Sequence, residues 1–456
     1  MNKLIIFFFL LSVFFLTLLP VKDTDFGWHY RCGNQFLSNG KLCINNGFSY
    51  FLQNYKAYYT GHVYDIILAL IYNWGGFFAV SILGAFIFTL SALVFFYLIH
   101  TDSIVKIAGF FLIFFLSYPV FYLGLRPQII SFLFFLILLF ILNQRNKKIL
   151  FFIPLLFFVW VNIHIGFFVG LIVLLFYTLE KTLVRNFTPF VIFFISIFAT
   201  FINPFGINVY KEIFNHALSP LNTMIAEWVP PSIFHIIIII TLSIIGLTQI
   251  AQKKPFSLYR TLLLIFFGIL ALKAVRNLPF FYASLTYILL DDLKVTLKNY
   301  SLPTIPFLAA ISIFIAIIQL PQTIHHSTSW DQYCNRSISA VYPCDAIRKY
   351  PQLSGNVYAL YEWGGFLIWQ KPNIKIFVDG RMPAWKDENG KSPYQVYLEI
   401  IQTQDGWNEK LRTLKTNYIF ITNGTFLDLL LAKDAAKYGW EEVYRDNSAV
   451  IYQNVI

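Results

Sequence analysis

About eleven stretches of this chain are apolar and centre on residues 4–20, 76–99, 104–123, 127–143, 148–162, 165–181, 187–202, 233–251, 259–273, 277–291 and 302–320. Crossing a hydrocarbon core of ~30 Å at 1.5 Å per residue takes about 17–25 residues of helix. Inside lipid every backbone N–H and C=O needs an internal partner, so repeated runs of this length imply helices. The expected fold class is mainly α, a polytopic membrane bundle of about eleven transmembrane helices. With 57% hydrophobic and 12% charged residues, the composition is not that of a soluble globular domain. One further apolar stretch, HVYDIILALIYNWGG, is too short before Gly75-Gly76 and is expected to be a juxtamembrane or broken helix. The first run lacks a small-residue cleavage site before Lys22 and reads as an uncleaved anchor.

Charge orients the bundle. With Met1 cytoplasmic, alternate connections carry Lys106; Arg145, Lys147 and Lys148; Lys181 and Arg185; Lys253, Lys254 and Arg260; and Lys294 and Lys298. The opposite connections carry Arg126, Lys211, Lys273 and Arg276. That asymmetry is the positive-inside pattern. It accounts for the formal charge of +11 together with a basic outer region, and nucleic-acid binding has no support. The expectation is a multi-pass protein of the plasma (inner) membrane with a cytoplasmic N-terminus. Residues 1–320 form a transmembrane domain whose first outer loop is 21–61, and residues 321–456 form an extracytoplasmic domain. The four cysteines, Cys32, Cys43, Cys334 and Cys344, all fall in the two regions placed outside, where disulfides persist. Four cysteines allow three pairings; short spacing favours Cys32–Cys43 and Cys334–Cys344, with four unpaired thiols as the alternative.

After Pro321 the apolar runs shorten and charges rise. NVYAL, IKIFVD, NYIFIT, WEEVYR and AVIYQ read as strands, with helices near Pro393–Thr403, Gly406–Leu414 and Phe426–Lys437 between them. This alternation predicts a small α/β domain. EWGGF and VDGRM supply Glu362, Asp379 and Arg381 as substrate-binding candidates, against a plain reading of both as turns. No Walker, Rossmann, zinc or Ser-His-Asp arrangement is present at convincing spacing.

Ionisable residues at membrane depth are costly, so those retained usually mark function. Here they are Asp23, Asp25 and His29 after the first run, His62 and Asp65 in the broken segment, Arg126, His164, Glu227 and Arg276. All lie at the outer ends of helices, where each alone reads as a solvated charge, a snorkelling arginine or a core histidine. Their shared side predicts one outward-opening cleft. In it Asp23-Thr24-Asp25 offers a general base, or a pair of oxygen ligands for a divalent cation such as Mg or Mn. Arginines at the same level hold phosphate through bidentate hydrogen bonds. A carboxylate base with phosphate clamps suits transfer of a group from a lipid-linked phosphate donor.

DTDFGWHYRCGNQFLSNG, TGHVYDIILALIY, LRPQIISFLFF, NIHIGFFVGL, NPFGINVY, EWVPPS and VRNLPFF, in this order, resemble the GT-C class of integral-membrane glycosyltransferases. The match is to a bacterial group of predicted glycosyltransferases whose opening is of the type D-x-D-x-W-W-H, and YEWGGFLIWQ and IFVDGRM extend it over almost the whole chain. Gly27 stands where that group has its first Trp, and Val63 where an acidic residue is usual, leaving Asp65 as its substitute. The resemblance implies a polyprenyl-phosphate-sugar donor, a lipid, glycan or protein acceptor, and a first-loop aspartate, Asp25 or Asp23, as base or electrostatic helper beside His29. Donor phosphate then falls to Arg126, Arg276 and His164, and substrate to His62, Asp65, Glu227, Glu362, Asp379 and Arg381. A lipid-linked-glycan transporter or flippase would use the same residues to line a path, although transporters commonly carry internal repeats and none is visible. A non-enzymatic envelope assembly protein would need no groove beside Asp25.

Overall fold

The computed structural model describes residues 2–53, 55–219, 224–253, 255–291, 304–328, 333–334 and 342–456. Lys254, Lys294 and Lys298 of the charge pattern lie outside the described residues. The chain is mainly helical with one small sheet, and it divides into two compact units.

The first unit comprises Met1–Val21, Phe77–Ile207 and Thr223–Ile324. Among the described residues, three helices are long and apolar enough to cross a membrane: His62–Leu98, Ile233–Ala251 and Pro306–Thr328. The apolar helices Lys3–Leu16, Ser103–Leu116, Pro127–Asn143 and Thr188–Ala199 are shorter. These segments mark the chain as a membrane protein. Several runs that look continuous in sequence are interrupted for local reasons. The 104–123 run breaks at Ser117 ahead of Pro119, and the 148–162 run opens as a 3-10 turn, Lys147–Phe152, before Ile153–Val161. Helix contacts use small residues and rings. Ser12 meets Ser312 at 2.6 Å, and Phe9 takes Phe110 and Phe111 edge-on.

The second unit comprises Lys22–Gly76, Asn208–Asn222 and His325–Ile456. Its sheet contains β1 (Gly355–Ala359), β2 (Ile374–Ile376), β3 (Tyr418–Ile421), β4 (Trp440–Arg445) and β5 (Val450–Asn454), in the order β2-β1-β3-β5-β4. β1 is parallel to β2 and β3, and the last three strands run antiparallel. Helices Pro393–Ile401, Trp407–Thr413 and Phe426–Asp434 stand where the sequence placed them. β1 leads to β2 on one side and β3 lies on its other side, so the connections diverge at the carboxyl ends of these parallel strands, the place where such sheets commonly carry sites.

The segment after the first helix, from Lys22, belongs to this unit. Tyr50 N–H donates to the Ile376 carbonyl at 3.1 Å and Ile376 N–H to the Phe48 carbonyl at 3.0 Å, so residues 48–50 continue the sheet beyond β2. Tyr50, Phe51 and Phe377 then join one buried core with Trp385, Tyr397 and Trp440. The His62–Leu98 helix is broken at Gly75 and Gly76, where Gly76 takes a positive φ of 60° that only glycine adopts readily. Its first arm lies in this unit and bears out the broken segment read from the sequence. Both disulfides, Cys32–Cys43 and Cys334–Cys344, close short loops here.

Candidate functional site

The sequence candidates form a cluster in each unit. In the second unit the turn before helix Phe26–Asn39 is built by Asp23, whose Oδ1 accepts the Asp25 backbone N–H at 3.2 Å. Asp23 is buried and Asp25 half-buried. The helix then runs close to Gly364–Gln370: a Cβ on Gly27 would lie 1.7 Å from the Gly365 carbonyl oxygen, and one on Gly365 would lie 2.1 Å from that of Thr24. A Trp has no room at position 27, which explains the departure from the D-x-D-x-W-W-H opening. The loop after β2 closes the other side, because a Cβ on Gly380 would lie 2.0 Å from Asp25 Oδ1.

Around this turn His29 Nδ1 bonds Asp65 Oδ1 at 2.6 Å, both residues buried. Tyr59 Oη lies 3.1 Å from the same nitrogen and donates to Asp65 at 3.4 Å, while the Trp28 ring stacks on the imidazole with 3.6 Å between ring centres. His62 is buried with its ring edge-on to Tyr59. Arg381 donates from Nε and Nη2 to the two Asp379 oxygens at 2.8 and 2.5 Å, a bidentate pair in which Asp379 is wholly buried. The guanidinium carbon lies 5.1, 5.4 and 5.8 Å from the rings of Phe48, Trp385 and Trp28. Glu362, in the 3-10 turn Tyr361–Trp363 that follows β1, is partly exposed, and burial raises its pKa. Thus Asp23, Asp25, His29, His62, Asp65, Asp379 and Arg381 share one neighbourhood, drawn from three separated stretches of sequence.

In the first unit Arg126 forms an ion pair with Glu227, and Arg276 lies over the Trp228 ring at 4.3 Å. Arg276 N–H donates to the Glu227 carbonyl at 3.2 Å. Burial alone would raise the Glu227 pKa, but Arg126 and Arg276 outweigh it and hold the carboxyl below its ordinary value. His164 Nδ1 bonds Ser131 Oγ at 2.6 Å, and Trp160 Nε1 donates to the same hydroxyl at 2.8 Å. These four candidates therefore also share one neighbourhood, and the charges of both arginines act on His164.

Sequence reasoning missed Tyr59, Trp28 and Glu212. Glu212 is buried in the amphipathic helix Asn208–Ala217 of the second unit, 3.4 Å from His216 Nδ1. Burial pushes its pKa up to about 7, against a hydrogen bond from Trp385 and the charge of Lys211. Its only sequence signal was a carboxylate on the apolar face of that helix.

A Mg or Mn ion needs about six oxygens and here would rest on Asp23 and Asp25. The residues do not fit it. Asp65 faces His29, Asp379 faces Arg381, and one oxygen of Asp23 serves the backbone turn. Among the described residues no group of three or more His, Cys, Asp or Glu could hold a metal ion.

No protein-family model and no curated protein matches the sequence. Solved structures do resemble it. The oligosaccharyltransferase of Archaeoglobus fulgidus, tethered with an acceptor peptide, is 11% identical over 99% of this chain and 74% of its own, with a TM-score of 0.59. ArnT from Cupriavidus metallidurans bound to undecaprenyl phosphate is 10% identical over 100% of this chain and 98% of its own, at 0.53. Arabinofuranosyltransferase AftD from Mycobacteria is 11% identical over 99% of this chain and 40% of its own, at 0.51. All three are GT-C glycosyltransferases, and at these identities the likeness shows that the chain has their fold.

Proposed function

We propose that this chain is a membrane glycosyltransferase that moves a hexosyl or pentosyl group from a polyprenyl-phosphate-linked donor to a lipid, glycan or protein acceptor on the extracytoplasmic face. In this reading an acceptor hydroxyl gives its proton to Asp25 as its oxygen bonds the sugar's anomeric carbon. The bond from that carbon to the phosphate oxygen breaks, and polyprenyl phosphate leaves with the electron pair. Arg126 and Arg276, set in place by Glu227, hold donor phosphate, and His164 lies among them. Asp23 shapes the turn that carries Asp25, His29 and Asp65 brace the helix behind it, and His62, Glu362, Asp379 and Arg381 border the substrate.

The observation that carries this reading is the convergence of Asp25, the His29–Asp65 pair and the Asp379–Arg381 pair within one unit of a chain that has the GT-C fold. Two closed disulfides support an outer location for the second unit, since cytosolic thiols stay reduced. The same orientation, with a cytoplasmic N-terminus and about eleven crossings, agrees with the charge pattern. The test is transfer by the detergent-purified full chain from labelled undecaprenyl-phosphate-linked sugars. Asp25→Asn, alone and with Asp23→Asn, should abolish transfer while the protein still inserts and melts normally. Full activity in the double variant would sink the assignment.

A further inference from the structure

We propose that Arg381 is the fixed cation of the Asp23–Asp25 centre, binding an anionic oxygen of a phosphate ester, so that the centre needs no divalent metal. This rests on the glycosyltransferase reading and narrows it. The Arg381 side chain is only 9% exposed. Asp379 takes its Nε and Nη2 at 2.8 and 2.5 Å and also accepts the Arg381 backbone N–H at 2.9 Å. Asn46 Oδ1 lies 3.5 Å from Nη2, and Phe48, Trp385 and Trp28 surround the guanidinium. Nη1 donates to none of the described residues. Nη1 is not among the buried polar atoms left without a partner, so this one edge of an otherwise enclosed guanidinium is open to an incoming anion.

The position of that edge gives it a use. Arg381 is the next residue after Gly380, whose Cα hydrogen side is filled by the Asp25 carboxylate. Its charge also acts on Asp65. A guanidinium stays protonated at any working pH, and with its Nε–Nη2 fork held by Asp379 it offers Nη1 as a charge-assisted donor to one phosphate oxygen. The bidentate bond to Asp379 fixes the side chain before any ligand arrives, so no reorganisation is needed when negative charge develops. The carboxylates that would complete a metal cage are the ones already used, Asp65 by His29 and Asp379 by Arg381 itself.

Two measurements on the purified full chain test this, and neither needs the sugar to be known. The first is Mn(II) binding followed by electron paramagnetic resonance. Wild type should bind no Mn(II) in the micromolar range. One Mn(II) per chain that is lost in Asp25→Asn would overturn the proposal. The second is binding of undecaprenyl phosphate, compared in wild type, Arg381→Lys, Arg381→Gln and the Asp379→Asn/Arg381→Gln pair. The paired variant avoids leaving Asp379 as a lone buried charge, so its fold should be retained. Affinity should fall at least 10-fold in both Gln variants and partly recover in Lys, as expected when one charge-assisted pair is lost. Unchanged affinity in the paired variant would refute the anion site. If no labelled sugar is transferred by wild type yet both results hold, the glycosyltransferase reading fails and the Arg381 site stands. Where transfer is seen, EDTA should leave its rate unchanged.

Discussion

Gly380→Ala isolates the geometry of Asp25 from the stability of the fold. The added Cβ would lie 2.0 Å from Asp25 Oδ1 and 2.8 Å from its Cγ, whereas real Cβ atoms essentially never come within 3.0 Å of another heavy atom. Gly380 has no positive φ, so alanine suits its backbone, and the clash is with the end of a side chain that can rotate away. The carboxylate therefore retreats by about 1 Å, and a misplacement of that size costs on the order of 100-fold in rate. The stability cost should stay within about 1 kcal/mol, at the low end of overpacking. Gly365→Ala is the contrast, because its Cβ meets the Thr24 carbonyl oxygen, which is backbone and cannot step aside. That variant should lose both activity and melting temperature. Gly47→Ala, whose Cβ would approach nothing closer than 4.0 Å, should change neither. The assay is initial-rate transfer from labelled undecaprenyl-phosphate sugars beside a melting curve on the same preparation. Wild-type turnover in Gly380→Ala would refute the placement of Asp25 at the reacting atoms.

Three further outcomes follow from the same geometry. Cys32→Ser and Cys334→Ser each open a loop closed over a sequence separation of 11 or 10, and each should cost about 3 kcal/mol; wild type should take up a maleimide label only after reduction. Arg126→Gln removes the ion-paired cation of Glu227 and leaves Arg276 as the positive charge acting on it, so it should cost about 2 kcal/mol, with part recovered in the Arg126→Gln/Glu227→Gln double variant, read by melting curves. Glu212 has a folded pKa near 7, above its ordinary value, so the fold favours the protonated carboxyl. Its contribution is complete below about pH 4.5 and is lost as pH rises to 7, on the order of 3 kcal/mol; Glu212→Gln should flatten the melting temperature between pH 5 and 8 and melt higher than wild type at pH 7.5.

What could be seen in the sequence was local. Strands β1 to β5 announced themselves through short apolar runs between turn residues, and the break at Gly75-Gly76 through adjacent glycines in an apolar stretch. The two disulfides are the pairing that short spacing favours over the other two and over four free thiols. Helix lengths were harder, because mean hydropathy reports which segments avoid water and not where hydrogen bonding pauses; the 104–123 run is strongly apolar on average yet its helix stops at Leu116, ahead of Ser117 and Pro119. The site depended on contacts that no local pattern encodes. Gly27 looks like a weakened tryptophan position until Gly365, far along the chain, is found against it. Tyr59 is one of 27 tyrosines, and only the His29–Asp65 bond beside it distinguishes it from the rest. The DGR turn after β2 read equally well as plain turn chemistry. Its side chains decide the matter: a turn needs the glycine, but it has no need of a wholly buried aspartate holding an arginine in a ring of aromatics. Such a pair is expensive to bury and gives little net stability over apolar packing. Its place on either side of Gly380, which packs on Asp25, is therefore better explained by what the guanidinium binds than by what it holds together.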